Sequence, residues 1–365
     1  MAYVSPFECA DGLFLRDLLP SVGAHQGVPG CDQDRLGLPD AASYVVVLVD
    51  GLGWELAVRA IIDAPYIAGL IGDSIKAEVG LPTTTAASLT SLWTGVLPGR
   101  HGLVGFSFRL HGRIVTPLSL VKPIPTAASV MDQMARAGVA VSCVIPAEHV
   151  GSGLTRMSTQ SARITGIDEY DARAKTAAIV RAVGSGQRSF VYAYDSRLDH
   201  AGHQYGVASE QWRRALSAID SWLEDLRSQL DDGVRLLVTG DHGMVDVQLE
   251  DRVVIDTDPV LRRGVHAVGG EPRFRHLYTD TPQAVAERWR GRLEDQASVL
   301  TRSEAVEAGL FGPVDDQFLS RLGDVIVIPT SGQAYLTATF PGEFSLVGMH
   351  GAATTAERYV PILID

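Results

Sequence analysis

Tyr44-Val45-Val46-Val47-Leu48-Val49-Asp50-Gly51 is the stretch whose reading decides the fold. Six consecutive apolar residues, mostly β-branched, read as a strand covered on both faces, the pattern of a parallel sheet rather than of a half-exposed one. Asp50 ends the run, and Gly51 lets the chain turn sharply behind it. Ligands of open α/β sheets collect beyond the carboxyl ends of the strands, so an acidic residue there sits where a cation or phosphate site is built. Taken alone, Asp-Gly is also an ordinary turn.

Working outward, comparable runs recur at Val139–Ile145, Ser189–Tyr194, Val234–Thr239 and Asp324–Ile328. The clearest helical pattern between them is Glu210–Leu230, where Trp212, Leu216, Ile219, Leu223, Leu226 and Leu230 recur at intervals of three or four. Strands alternating with helices predict an α/β fold with a mostly parallel central sheet and helices on both faces. After Leu249 the alternation loosens into Gly264–His276 (GVHAVGGEPRFRH) and a helical stretch at Pro282–Leu293. Residues 251–347 are therefore expected to form a smaller inserted cap, with 1–250 and 348–365 as the catalytic core.

The 365 residues are 46% hydrophobic and 20% charged, which fits a soluble globular protein rather than a disordered one. A net charge of −12 argues against a grip on nucleic-acid polymers or anionic membranes. An anionic substrate would then need local positive charge, which bound divalent cations supply. Cys9, Cys31 and Cys143 form no Cys-x-x-Cys pair, so neither a disulfide framework nor a cysteine zinc site is expected. With no basic-then-apolar N-terminus and no apolar run of about 18 residues, the expectation is a cytoplasmic protein without a membrane partner.

The residues that carry chemistry cluster at the ends of the strands. Asp199 and His203 stand four apart in DHAGHQYG, so in a helix they share one face and suit two ligands of one cation. His200, between them, would point elsewhere. Asp241 and His242 follow a strand in LVTGDHGM, where flanking glycines allow a tight turn that aims carboxylate and imidazole at one ion. His350 lies in GMHGAAT, and as a lone histidine it would be structural as readily as functional. In LPTTTAASLTSLWTGVLPGRHG (81–102), threonines precede a short helix. A hydroxyl at a helix N-terminus sits beside backbone N–H groups that stabilise phosphoryl oxygens, although most such threonines are simple caps.

Read in order, these residues resemble the nucleotide pyrophosphatase/phosphodiesterase family of the alkaline phosphatase superfamily, from about Tyr44 to Ile364. The family's first-strand aspartate falls on Asp50, and its P-T-x-T motif falls on Pro82–Thr85. Its D-x-x-G-H-x-x-G falls on Asp199, Gly202, His203 and Gly206, its D-H-G on Asp241, His242 and Gly243, and its late H-G on His350 and Gly351. T-G-x-x-P-x-x-H-G also matches at Thr94–Gly102.

The resemblance implies two divalent cations, zinc in the first place with manganese as the alternative. Asp199, His203 and His350 would hold one, and Asp50, Asp241 and His242 the other. Thr85 would be the nucleophile beside the second, with Thr84 as the fallback. The implied substrate is a small phosphodiester, phosphoanhydride or nucleotide. Phosphomonoester or phosphonate hydrolysis, a phosphomutase and an inactive binding homologue stay open as alternatives, and so does the oligomeric state.

The sequence departs from the family in two places. Phe106 stands where an asparagine usually contacts a phosphoryl oxygen, and Ala86–Ser88 replace the usual aromatic-Pro-Asn. Backbone N–H groups near Thr85, Ser107 or Arg109 are the candidate substitutes for the asparagine. Trp54, Phe106 and Tyr205 are candidates for stacking, Arg273 and Arg275 for binding anionic groups, and His101 for orienting the loop after the helix.

Overall fold

The computed structural model describes residues 12–365 apart from 60, 121, 125 and 208. Its central sheet has seven strands, which we number in chain order: β1 (Ser43–Val49), β2 (Ile75–Glu78), β3 (Ala140–Pro146), β4 (Arg163–Ile167), β5 (Ser189–Asp195), β6 (Val234–Thr239) and, last in the chain, β11 (Tyr359–Ile364). Their spatial order is β2-β11-β6-β1-β5-β3-β4. β1 pairs in parallel with β5 and β6, and β3 in parallel with β5 and β4. β11 runs antiparallel to both of its neighbours.

The apolar run at 44–49 is buried on both faces, as its composition predicts. Tyr44, Val46 and Leu48 enter one core, while Val45, Val47 and Val49 enter the core on the opposite face. Helix α1 (Thr85–Thr94) covers the first face with Ala86, Leu89, Leu92 and Trp93. Helix α3 (Glu210–Gln229) covers the second with Trp212, Leu216, Ile219, Leu223 and Leu226, and α2 (Arg197–Tyr205) precedes it directly after β5. Register brings the strand ends level, with Val49 opposite Asp195 and Leu48 opposite Thr239. The residues after β1, β5 and β6 therefore emerge side by side at one edge.

A second sheet comprises β7 (Ala267–Glu271), β8 (Phe274–Tyr278), β9 (Ala297–Thr301) and β10 (Val325–Pro329), in the order β7-β8-β10-β9 and antiparallel throughout. The strand read at Asp324–Ile328 belongs here and not to the parallel sheet. Helix α4 (Pro282–Leu293) packs Val285, Ala286 and Trp289 against one face with Leu277, Val325 and Val327. Residues Phe274, Ile326 and Ile328 instead join the core beneath α1. β2 and β4 escaped the sequence reading; β4 (RITGI) is only half-buried and carries a mid-strand glycine, so its hydrophobic signal is weak. Cys31 and Cys143 are buried and free, and Cys9 lies outside the described residues. Among the described residues, no helix is long and apolar enough to cross a membrane.

Candidate metal centre and active site

Six side chains from four separated segments converge at the carboxyl edge of the central sheet. Asp50 follows β1, Asp199 and His203 lie on α2, Asp241 and His242 follow β6, and His350 lies in the loop before β11. Glycines permit the approach. A Cβ on Gly243 would fall 1.8 Å from the Ala356 carbonyl oxygen, so only glycine lets the Asp241–His242 turn meet the segment after His350. Gly351 adopts a φ of +131°, and a Cβ there would come within 2.7 Å of Glu271.

Each histidine is held through Nδ1 by a backbone carbonyl: His203 by Gly348 at 2.8 Å, His242 by Gly243 at 3.0 Å and His350 by Thr83 at 2.8 Å. A carbonyl only accepts, so each Nδ1 carries a proton, and Nε2 is the nitrogen left to bind a metal. The Nε2 atoms of His203 and His350 lie 3.3 Å apart. Burial, reinforced by His242 and His203, pushes His350 well below the usual imidazole range.

The carboxylates follow the same plan. Asp241 accepts from the backbone N–H groups of Gly51 and His242 through Oδ1, both at 3.1 Å, and leaves Oδ2 without a partner. Asp50 accepts from the Tyr194 hydroxyl through Oδ2, and its Oδ1 is unpartnered, as is Asp199 Oδ1. These bare oxygens face the Nε2 nitrogens: Asp50 Oδ1 is 3.4 Å and Asp241 Oδ2 3.5 Å from His242 Nε2, and Asp199 Oδ1 is 3.4 Å from His203 Nε2. Burial and the charges of Asp241 and Asp199 raise Asp50 well above the carboxylate range, and burial raises Asp241 as well. A cation offsets this repulsion and desolvation. Among the described residues, two groupings have ligand atoms close enough to share an ion: Asp199, His203 and His350, and Asp50, Asp199 and His242. Asp199 thus stands between the two groups, whereas the sequence reading gave it to one.

Thr85 is the first residue of α1, half-buried, with Oγ1 3.3 Å from His242 Nε2. Its neighbours have other tasks. Thr83 is fully buried; its hydroxyl donates to Ala352 O and accepts from Gly351 N, which ties the His350 loop to the start of α1. Thr84 occupies the N-cap position and its side chain makes no capping bond. The N–H groups of the first turn are therefore not capped by the Thr84 side chain.

The remaining candidates divide. Arg273 and Arg275 are fully buried and paired internally: Arg273 is paired with Glu357 at 2.7 Å and with two carbonyls, and Arg275 binds Glu343 and Tyr335 O. They brace the second sheet against the His350 loop and, at 0% exposure, are out of reach of an anion entering from solvent, which corrects the sequence reading. Ser107 is buried and donates to Gly270 O, and Arg109 lies over the Tyr278 ring and faces Asp324, so neither replaces the missing asparagine. Phe106 stands edge-on to Phe340 at 6.1 Å and gives its backbone N–H to Glu271 at 2.8 Å. Trp54 lies under the Lys76 ammonium, 5.8 Å from its ring, Tyr205 is 45% exposed, and His200 is exposed. His101 is buried, with Nε2 on Ser91 of α1 and Nδ1 accepting from Leu103 N, so it does fix the loop after the helix. Tyr194, which anchors Asp50, was missed; its only sequence signal is an aromatic near the end of a strand.

The sequence model of the family described as type I phosphodiesterase/nucleotide pyrophosphatase matches residues 44–353. Among solved structures, murine ectonucleotide pyrophosphatase/phosphodiesterase 5 superposes with a TM-score of 0.72 at 17% identity, over 88% of this chain and 87% of that one. An inactive variant of that murine protein in complex with AMP superposes at 0.70 and 16% identity, with the same coverage. Phosphonoacetate hydrolase from Sinorhizobium meliloti 1021, in complex with phosphonoformate, gives 0.66 at 19% identity over 90% and 91%. At these identities the superpositions speak for a shared alkaline phosphatase-like fold. The match over most of its length, on a fold common to that superfamily, places this chain in the type I phosphodiesterase/nucleotide pyrophosphatase family of metal-dependent hydrolases acting on phosphate esters.

Proposed function

We propose that this protein hydrolyses small phosphodiesters or phosphoanhydrides through a covalent Thr85 intermediate. The observation that carries the reading is the convergence of three unpartnered carboxylate oxygens and three imidazole Nε2 nitrogens beside the Thr85 hydroxyl. Asp199, His203 and His350 would hold one divalent cation, and Asp50, Asp241 and His242 the other, with zinc favoured by the mixed nitrogen and oxygen donors. Such a pair, when bound, stabilises both the attacking and the leaving oxygens of an in-line displacement.

The chain's own groups do the rest. Thr85 Oγ1 gives its proton to solvent as it forms a bond to phosphorus, and the bond from phosphorus to the leaving oxygen breaks, that oxygen departing as an alcohol or phosphate that takes a proton from solvent. The N–H groups opening α1 receive the phosphoryl oxygens and take the place of the side-chain amide that Phe106 does not supply. Water then attacks the phosphorus of the threonine ester and restores the hydroxyl. The carbonyls on the three Nδ1 atoms, together with Tyr194, keep the site rigid through the cycle.

Turnover of bis-p-nitrophenyl phosphate and p-nitrophenyl phosphate by the metal-loaded protein, with mass spectrometry of quenched samples, tests the reading. The diester should be the better substrate, with an adduct on the peptide containing Thr85. Thr85→Ala should lose at least about 10³-fold in kcat while keeping its metal. Wild-type rates in that variant would remove the nucleophile assignment, and much faster turnover of the monoester would favour the phosphomonoesterase alternative.

A further inference from the structure

Ion pairs gather behind the metal site, at the turn that joins β5 to α2. Lys175, on the helix Ala172–Val183, and Arg197, the first residue of α2, both reach the carboxylate of Asp195, the last residue of β5. The guanidinium grips it through Nε and Nη2 at 2.9 and 2.7 Å, while the ammonium also lies 3.7 Å from the centroid of the Trp222 ring. The side chains of Lys175, Arg197 and Asp195 expose 2%, 9% and 0% of their surface. Apolar side chains of similar volume often stabilise a fold as well as a buried ion cluster does, so stability alone does not account for this one. What charged groups add is direction, because each bond fixes an angle as well as a distance.

Asp195 applies that direction to two segments that carry candidate ligands. Its backbone carbonyl accepts from Asp50 N–H at 2.9 Å, the bond that ties the end of β1 to the end of β5. Its Oδ1 accepts from Arg197 N–H at 3.2 Å, where α2 begins. The N-cap residue Ser196 gives the helix no side-chain cap; its own N–H and hydroxyl both go to the Glu169 carboxylate. Asp195 and Glu169 therefore set the start of α2 in place of a cap. Asp199 follows two residues after Arg197 and packs against the turn after β1, where a Cβ on Gly51 would stand 3.3 Å from Asp199 Cα. A shift of α2 along that turn changes the gap between Asp50 and Asp199, which together with His242 offer ligand atoms to one ion.

We infer that Asp195, clasped by Lys175 and Arg197, is a positioning residue that sets the spacing of the Asp50 and Asp199 carboxylates and thereby their grip on a cation. The inference rests on those two aspartates being metal ligands, as in the proposed function. The Asp195 carboxylate is occupied by its two countercharges and by Arg197 N–H, so it acts through the backbone it holds and not by binding metal.

Zinc affinity by competition with a chromogenic chelator, and the d–d absorption of the cobalt(II)-loaded protein, test it in Lys175→Met and Arg197→Met. Each variant leaves Asp195 one countercharge, so neither strands that buried carboxylate. Both should bind zinc about tenfold more weakly, the scale of loss when a group supporting a ligand is removed, and both should shift the cobalt spectrum. Arg213→Met, which breaks a surface pair between α3 and Asp63, should do neither. The comparison is made at a temperature where circular dichroism shows every variant folded, so that a lowered unfolding midpoint does not imitate the result. Wild-type affinity with an unchanged spectrum in both variants would overturn the inference, whatever their midpoints. Should neither fold, Glu169→Gln, at a half-buried residue, carries the test, with an expected loss of about threefold and no loss as the result against it. Wild-type protein that takes up neither zinc nor cobalt would defeat the ligand reading and this inference with it. Equal uptake by wild type and variants would defeat the role of the network only.

Discussion

Tyr194→Phe is the sharpest probe of the metal centre, because it removes one hydrogen bond behind a ligand and touches no atom proposed to bind metal. Asp50 has one oxygen on the Tyr194 hydroxyl and the other free toward His242. In the metal-free protein, burial and two neighbouring carboxylates push Asp50 well up, which favours the form whose bond to Tyr194 is a neutral one. Such a bond contributes about 0.5–1.5 kcal/mol, whereas one to the ionised carboxylate contributes about 1.5–3 kcal/mol. Metal binding needs the ionised form, so affinity changes by the difference, about 1–1.5 kcal/mol, or roughly tenfold. Competition against a chromogenic chelator measures it. Loss of the donor also raises Asp50 further, so the affinity of the variant should fall away at a higher pH than that of wild type. Activity should drop at limiting metal and recover when metal is in excess. Unchanged affinity, or a loss of kcat that saturating metal does not restore, would refute the role given to Tyr194.

Asp241→Asn should retain fewer metal ions per chain after dialysis, and elemental analysis that finds wild-type stoichiometry would contradict its role as a ligand. Glu271 is a buried carboxyl raised to about 8 by desolvation, from an ordinary 4.5. The folded chain therefore holds this proton after the unfolded chain has lost it, so the associated stability is complete below 4.5 and is lost as pH rises through 8. Glu271→Gln should flatten the fall in urea midpoint between pH 5 and 9, and an unaltered pH profile would count against the assignment. Arg273→Met leaves Glu357 buried without its partner, both side chains being fully inaccessible, and should cost about 3–5 kcal/mol of unfolding free energy. A loss below about 1 kcal/mol by denaturant titration would show that the pair is not a brace.

The parts of the site that sequence makes visible are those where one strand end or one helical turn carries the information. Asp50 and the Asp241–His242 pair announce themselves through an apolar run ending in an acidic residue and glycine. Asp199 and His203 do so through their helical spacing. His350 has no such local signature and was reached only through the order of motifs, because its position depends on the hydrogen bonds that Thr83 makes to His350 and to Gly351, with 267 positions separating His350 from Thr83. Tyr194 escaped for the same reason: its bond to Asp50 spans 144 positions. The misreading of Arg273 and Arg275 has another origin. A basic pair in a glycine-rich loop looks like an anion site until its partners, Glu357 and Glu343, are seen to be buried with it.

β11 lies between β2 and β6, although more than a hundred residues separate it from either in sequence. Until residues near 360 leave the ribosome, β6 keeps an unpaired flank and the segment at 75–78 has no place in the sheet. Synthesis at about 5–20 residues per second exposes that flank for several seconds. The nascent chain therefore passes through a stage in which an apolar strand border is open to wrong partners. Removing these final residues should leave a protein that aggregates rather than one that merely works less well.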